Sequence, residues 1–186
     1  MTNQLTLILG GARSGKSTYA EKLAAKMGPH VLYIATAEAG DEEMAERIIA
    51  HRVARPATWQ TLEAPRNVGQ ALKKIDHHPD VLLLDCLTLL VTNILLSLED
   101  QPQTEIVTAI QAEIDTLLAT RKQLNVPLII VSNEVGLGLV PEYPLGRIFR
   151  DELGRANQYL AEQADHVIFM VAGLPLTVKG NASTNA

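Results

Sequence analysis

Cysteine and aromatic side chains are what this chain has least of. Cys86 is the only cysteine in 186 residues, so no internal disulfide can form and a secreted scaffold held by bridges is excluded. Two phenylalanines, four tyrosines and one tryptophan leave few rings on which single-stranded bases could stack. Positive charge is not in excess either. The 16 Lys and Arg stand against 21 Asp and Glu, a net charge of -5, which gives no basic footprint for nucleic acid or for an anionic membrane. No apolar run approaches the roughly 20 residues of a membrane helix. Met1, Thr2, Asn3 and Gln4 lead into an apolar stretch without a basic leader region. These absences predict a cytoplasmic protein with no membrane span and no nucleic-acid partner.

What is present is an ordinary globular balance of 47% hydrophobic and 20% charged residues, enough for one well-cored domain and too short a chain for two. No repeat or linker divides it. A single domain is expected over 1–179, with the small polar stretch 180–186 as a frayed tail.

One stretch organises the rest. Gly10, Gly11, Ala12, Arg13, Ser14, Gly15, Lys16 and Ser17 match GxxxxGK(S/T) at every fixed position. The apolar run Leu5, Thr6, Leu7, Ile8 and Leu9 before it suits a buried parallel strand. A helix over 17–26 is predicted after it, with Tyr19, Leu23 and Met27 at four-residue spacing. Strand, glycine loop and helix in that order is the context the motif requires. Gly10 and Gly15 permit backbone angles that a Cβ would forbid, so successive N–H groups can curl around phosphate oxygens at the positive end of the helix dipole. Lys16 would reach the β and γ phosphates, and the Ser17 hydroxyl would help hold Mg2+. Arg13 could meet a phosphate or face solvent.

Further along, Val31 to Ala35 reads as a second buried strand after Gly28 and Pro29, ending at the polar Thr36. A charged helix is expected over 41–52, with acids in its first turn and His51 near its end. Residues 59–63 make a short third strand that ends on Glu63, and 67–75 a short amphipathic helix. Val81, Leu82, Leu83, Leu84 and Asp85 have the form of a Walker B strand, whose acid lies beside the glycine loop and contacts Mg2+. Helices follow over 87–98 and 104–124, the second with a core stripe of Ile106, Ile110, Ile114, Leu117 and Leu118. A strand over 128–132 leads into a loop, 133–138, at the carboxyl end of the sheet, where ligands sit in open α/β folds. A last helix is placed at 148–164 and a strand at 167–171, with 174–179 folding back through Gly173 and Pro175 as a hairpin. The alternation predicts a mostly parallel sheet with helices on both faces.

Several of these segments, taken together and in order, resemble one family. They are the glycine loop; Leu32 to Thr36; Arg47 and Ile48 with His51, Arg55 and Pro56; and Asp85, Cys86, Leu87 and Thr88. Val91, Thr92 and Asn93 follow, then Ser132 through Pro141, then Arg150 and Asp151 with Gly154 to Gln158. The set is similar to the bifunctional adenosylcobinamide kinase and adenosylcobinamide-phosphate guanylyltransferase of cobalamin biosynthesis, over about 5–179.

The resemblance implies an α/β P-loop NTPase fold of the RecA-like type and two reactions. ATP or GTP would phosphorylate adenosylcobinamide. GTP would then pass GMP to that phosphate through a guanylylated histidine, giving adenosylcobinamide-GDP and pyrophosphate. The position that matches that histidine is His51, which by itself would read as a solvated or packed residue on a charged helix. The resemblance also implies a homotrimer with Mg2+ as cofactor, and places Thr36 and Glu63 where the nucleotide binds; the alternatives are a helix cap for Thr36 and a surface acid for Glu63. Glu134 could approach the phosphates or satisfy loop amides. Cys86 is expected to be an inert buried thiol. Two rival functions share the loop: a one-step small-molecule kinase, and a RecA-like switch or nucleic-acid motor, which the acidic, ring-poor composition disfavours.

Overall fold

The computed structural model of the protein describes residues 3–38 and 55–180. The helix expected over 41–52, with His51 on it, and the tail over 181–186 lie outside the described residues. Within them, seven strands form one sheet: β1 (Leu5–Gly10), β2 (Val31–Ala35), β3 (Gln60–Glu63), β4 (Val81–Asp85), β5 (Leu128–Val131), β6 (His166–Val171) and β7 (Leu174–Lys179). Their order across the sheet is β3-β2-β4-β5-β1-β6-β7. Every pairing is parallel except β6 with β7.

Alternation along the strands sorts apolar side chains to two faces. Leu5, Leu7, Leu32, Ile34, Leu82, Leu84, Leu128 and Ile130 belong to one core, and Ile8, Val31, Tyr33, Val81, Leu83, Ile129 and Val131 to the other. Both faces are covered, which is why the central strands read as unbroken apolar runs instead of alternating ones. The first face is covered by α2 (Val68–Leu72), α3 (Leu87–Ser97), α4 (Gln103–Leu124) and α5 (Pro144–Gln163). Ile106, Ile110, Ile114, Leu117 and Leu118 of α4 are all buried there. Among the described residues the second face is covered by one helix, α1 (Lys16–Met27). It presses Ala20 and Ala24 onto the sheet with no surface left exposed, while Tyr19, Leu23 and Met27 are only partly buried beside them. Small side chains at that contact let the helix lie close to the strands.

Most element ends fall within a residue of expectation; two helix ends and the hairpin turn differ in a way that has a local reason. Helix α2 stops at Leu72, short of the 75 expected, because Lys74 N and Ile75 N bond back to Ala71 O and Leu72 O, a tightened last turn instead of a continued helix. Its start is fixed by Glu113 of α4, whose carboxylate accepts from Asn67 N at 2.9 Å and Val68 N at 2.6 Å. Helix α5 begins at Pro144, four residues before the expected 148. A proline in the first turn gives up no intrahelical bond, and Arg147 Nη1 donates to Pro141 O and Glu142 O, closing the loop onto the helix. The hairpin turns on Ala172 and Gly173, both with positive φ, and Pro175 lies inside β7. A two-residue turn of that kind matches the twist of the strands it joins. Pro175 is tolerated because β7 is the sheet edge.

Candidate active site

The glycine loop connects the carboxyl end of β1 to the first turn of α1. Gly10 has φ +152, and a Cβ there would stand 2.6 Å from Met170 O and 2.7 Å from Ser14 Oγ. Gly15 has φ +91, and its Cβ would stand 3.2 Å from Gly173 Cα. Both glycines are therefore required by the close approach of the β6–β7 hairpin, whose Gly173 N donates to Ser14 O at 3.0 Å. That brace comes from the far end of the chain and was not foreseen from the motif. Gly11, Ala12 and Arg13 are exposed, Ser14 is buried and Ser17 is half-buried. Arg13 sits at φ 56.

Lys16 is only 8% exposed. Its Nζ donates to Gly11 O at 2.7 Å, folding the side chain back over the loop. Burial lowers its pKa from the ordinary lysine value, and the nearby charges of Cys86 and Asp85 act in the opposite direction. The cradle thus holds a desolvated ammonium group at the amino end of α1, an arrangement suited to a polyphosphate.

Asp85 ends β4, but that strand is not a neighbour of β1. Strand β5 lies between them, pairing Leu5–Ile8 on one side and Leu82–Asp85 on the other. The acid nevertheless lies near the glycine loop, as expected, since Lys16 feels its charge; one strand intervenes in the sheet order, and the loop after β5 follows at the same end of the sheet. Ser132 N bonds Ile8 O at 2.9 Å and Glu134 N bonds Gly10 O at 3.0 Å, so that loop is attached to the phosphate cradle. The Glu134 carboxylate accepts from Gly136 N at 2.7 Å, satisfying a loop amide.

A set of buried polar bonds ties the three loops together. The Thr36 side chain, with no exposed surface, accepts from Cys86 N at 2.8 Å and donates to Cys86 O at 2.7 Å. Asn93 Nδ2 donates to Thr36 O and to Pro65 O. Thr88 Oγ1 accepts from Asn133 N at 2.8 Å, and Asn157 Nδ2 donates to Asn133 O at 3.1 Å. Thr36 is thus a clamp on the turn after Asp85. Thr88, Asn93, Asn133 and Asn157 all fall in segments of the family pattern, yet nothing in the sequence assigned them a role. For Thr88 and Asn93 the signal was an uncharged polar residue inside an otherwise apolar helix, and for Asn133 a polar residue after a strand end; Asn157, on a polar helix, carried none. Burial pushes the Cys86 thiol up to about 11, with the Asp85 charge adding to it.

Glu63 ends β3, the outer strand, with β2 between it and the strand of Asp85. Tyr33, which sequence reasoning passed over, donates its hydroxyl to Asp85 Oδ2 at 2.8 Å. Among the described residues no three or more His, Cys, Asp or Glu side chains are grouped to hold a metal ion. Mg2+ keeps waters and phosphate oxygens and takes only one or two protein oxygens, so it needs no such group. The bond from Tyr33 to Asp85 Oδ2 leaves that carboxylate further lone pairs.

A phosphate cradle on β1, an acid on β4 and a strand inserted between them define a RecA-like P-loop NTPase. Solved structures agree on the fold. The flagellar accessory protein FlaH from Methanocaldococcus jannaschii superposes with a TM-score of 0.54 at 15% identity, covering 97% of this chain and 80% of that one. The RadB recombinase gives 0.52 at 16%, covering 90% and 74%.

Within that class the chain belongs to the cobinamide kinase / cobinamide phosphate guanyltransferase family, whose model matches residues 6–178. It is 49% identical over 174 residues to the bifunctional adenosylcobalamin biosynthesis protein CobP of Pseudomonas aeruginosa, covering 94% of this chain and 96% of that protein. It is 42% identical over 181 residues to CobU of Salmonella typhimurium, covering 94% and 99%. CobU of Escherichia coli is 40% identical over 181 residues, again covering 94% and 99%.

Proposed function

We propose that this chain carries out both reactions of its family with one nucleotide cradle: phosphorylation of adenosylcobinamide by ATP or GTP, then transfer of GMP from GTP onto the new phosphate. The observation that carries the reading is the buried Lys16, folded onto Gly11 O and feeling the Asp85 charge, in a chain that the family model matches from residue 6 to 178. In the first step Lys16 and the loop amides of Gly10 to Ser17 neutralise charge on the transferring phosphoryl group. Ser17 and Asp85 would hold Mg2+, which would supply charge neutralisation for the phosphates. Thr36 keeps the Asp85–Cys86 turn in place for it, and Glu63 is kept as a nucleotide contact at the end of β3.

The second step is assigned to His51. A neutral imidazole, abundant near its ordinary pKa of about 6.5, attacks the α-phosphorus of GTP; a P–N bond forms and pyrophosphate leaves. A phosphate oxygen of adenosylcobinamide phosphate then attacks the same phosphorus, the P–N bond breaks, and adenosylcobinamide-GDP departs. Mass spectrometry after incubation with GTP and Mg2+ tests this. One GMP adduct on His51, absent from His51→Ala, is the expected result. Phosphorylation of cobinamide by a wild-type protein that never forms the adduct would leave a one-step kinase.

The single cysteine fits a reducing cytoplasm, and among the described residues no helix is long and apolar enough to cross a membrane. A homotrimer is the proposed assembly. It is supported by the edge strand β7, which exposes Leu174, Leu176 and Val178 along one side. Sedimentation at the mass of a single chain would discard it.

A further inference from the structure

The loop after β5 runs on past Glu134 through a stretch, 135–141, that carries no charged side chain. Its apolar residues are uncovered: Leu137 is 83% exposed, Leu139 95%, Val140 64%, and Tyr143 just beyond them 66%. Side chains of this size left in water forgo the stabilisation that covering them would give, and an apolar surface gathered in so short a stretch marks a place where another molecule is received.

The loop is nonetheless held in shape. At its start Asn133 is bonded to Thr88 and Asn157, and Glu134 N bonds Gly10 O at 3.0 Å, so the loop leaves directly from the phosphate cradle. Within it Gly138 N bonds Val135 O at 3.4 Å, and Val135 packs against the core. At its end Arg147 Nη1 holds the carbonyls of Pro141 and Glu142. The Tyr143 ring is seated too. A Cβ on Gly146, in the first turn of α5, would stand 2.7 Å from Tyr143 Cε2, 3.1 Å from its Cζ and 2.8 Å from Pro141 Cβ. The ring occupies space that only a glycine leaves open, with most of its surface turned to solvent. An aromatic side chain fixed by packing beside uncovered aliphatic ones is a preformed contact surface, which loses little further freedom when a ligand arrives.

Position and charge narrow the occupant. The surface stands at the carboxyl end of β5, the end of the sheet at which the glycine loop leaves β1. Leu139 follows Glu134 by five residues, at most about 17 Å of chain, so a molecule resting there lies beside a nucleotide held in the cradle. A triphosphate is met by the loop amides and Lys16; an uncharged apolar surface suits the other substrate of the family. Cobinamide is a broad corrin macrocycle with methyl groups and neutral carboxamides around its rim, and it carries the hydroxyl that is phosphorylated at the end of one arm.

We infer that the exposed surface of Leu137, Leu139, Val140 and Tyr143 receives the corrin macrocycle of the acceptor and presents its hydroxyl-bearing arm to the cradle. This rests on the reading of the chain as a cobinamide kinase and adds to it the residues that select the acceptor.

Tyr143→Ala and Leu139→Ser should each raise KM for adenosylcobinamide in the phosphorylation step by about tenfold, while KM for the nucleotide stays within about twofold. Equilibrium dialysis without nucleotide, in which the corrinoid is followed by its own colour, should show the same loss of affinity. Gly146→Ala should weaken corrinoid binding without altering any side chain of the surface, because its Cβ displaces the ring whereas alanine favours the helix. Leu96→Ser, at a half-exposed leucine near the far end of α3, is the control and leaves both constants unchanged. Unchanged corrinoid constants in Tyr143→Ala and Leu139→Ser overturn the inference. A rise confined to the nucleotide also overturns it and makes the surface a platform for the base. A lower sedimentation mass in these variants with unchanged corrinoid affinity overturns it in favour of a contact between copies of the chain. If wild-type protein binds adenosylcobinamide without phosphorylating it, the kinase reading fails and dialysis alone decides: weaker binding by Tyr143→Ala sustains the surface, and equal binding rejects it. Wild-type protein that does not bind adenosylcobinamide overturns the inference outright.

Discussion

Replacing Thr36 by valine isolates the clamp that holds the Asp85–Cys86 turn. Valine has nearly the shape of threonine, and the backbone carbonyl of residue 36 keeps its bond from Asn93 Nδ2 at 2.8 Å, so the change removes the hydroxyl alone. That hydroxyl accepts from Cys86 N and donates to Cys86 O. The carbonyl retains Leu90 N at 3.2 Å as a partner, but the amide loses its acceptor at a position where Thr36 has no exposed surface. An orphaned buried amide costs about 1–3 kcal/mol, and the bond lost at the carbonyl adds somewhat less. Thr36→Val should therefore destabilise the protein by about 2–3 kcal/mol. At about 2–4 °C per kcal/mol for a chain of this length, Tm falls by about 4–12 °C. Thr36→Ser keeps both bonds and loses one buried methyl, about 1 kcal/mol. Thermal melts read by circular dichroism, with GTP titrations alongside, check this. A Thr36→Val protein that melts with wild type but binds GTP poorly would refute the clamp and make Thr36 a direct nucleotide ligand. A serine variant less stable than the valine variant would refute the hydrogen-bond account.

Lys16→Met should lower phosphoryl transfer by about 10²–10³-fold, the scale of losing one charge-stabilising donor, measured as cobinamide phosphorylation at saturating nucleotide. Because burial depresses the Lys16 pKa below its ordinary 10.5, the unfolded chain binds this proton more tightly than the native one. Stability of wild type relative to Lys16→Met therefore rises as pH climbs from the lowered pKa toward 10.5, followed by urea melts across alkaline pH. Cys86 shows the opposite sign. Its thiol is pushed up from 9.0 to about 11, so the native state holds a proton that the unfolded chain releases, and the Cys86 contribution to stability is lost as pH rises from 9 to 11. Cys86 is half-buried, and its protection comes from the raised pKa: iodoacetamide at pH 8 should label the native thiol far more slowly than the thiol in urea, and equal rates would contradict the raised pKa.

The sequence by itself determined the elements whose cause is local. Apolar runs bounded by glycine and proline made the central strands legible, because a sheet covered on both faces needs side chains of one kind in every position. The glycine loop was legible for the same reason in reverse: its backbone tolerates only certain residues, so Gly10, Gly15 and Lys16 carry their role in their identity. The order of family segments named the chemistry, though it gave Thr88, Asn93, Asn133 and Asn157 no task.

Tertiary structure alone decided everything that depends on which strands lie side by side. The insertion of β5 between β1 and β4 sets the spacing of the cradle and the acid and ties the Glu134 loop to Gly10, and no local pattern encodes strand order. The hairpin brace on Gly15 comes from Gly173, far along the chain. Tyr33 reads in the sequence as one more apolar-strand residue; only the pairing of β2 with β4, which sets Ala35 opposite Asp85, gives its hydroxyl a carboxylate to hold. Contacts between residues distant in sequence arise from the packing of whole elements, so a site assembled from four strand ends becomes visible only once the sheet is closed.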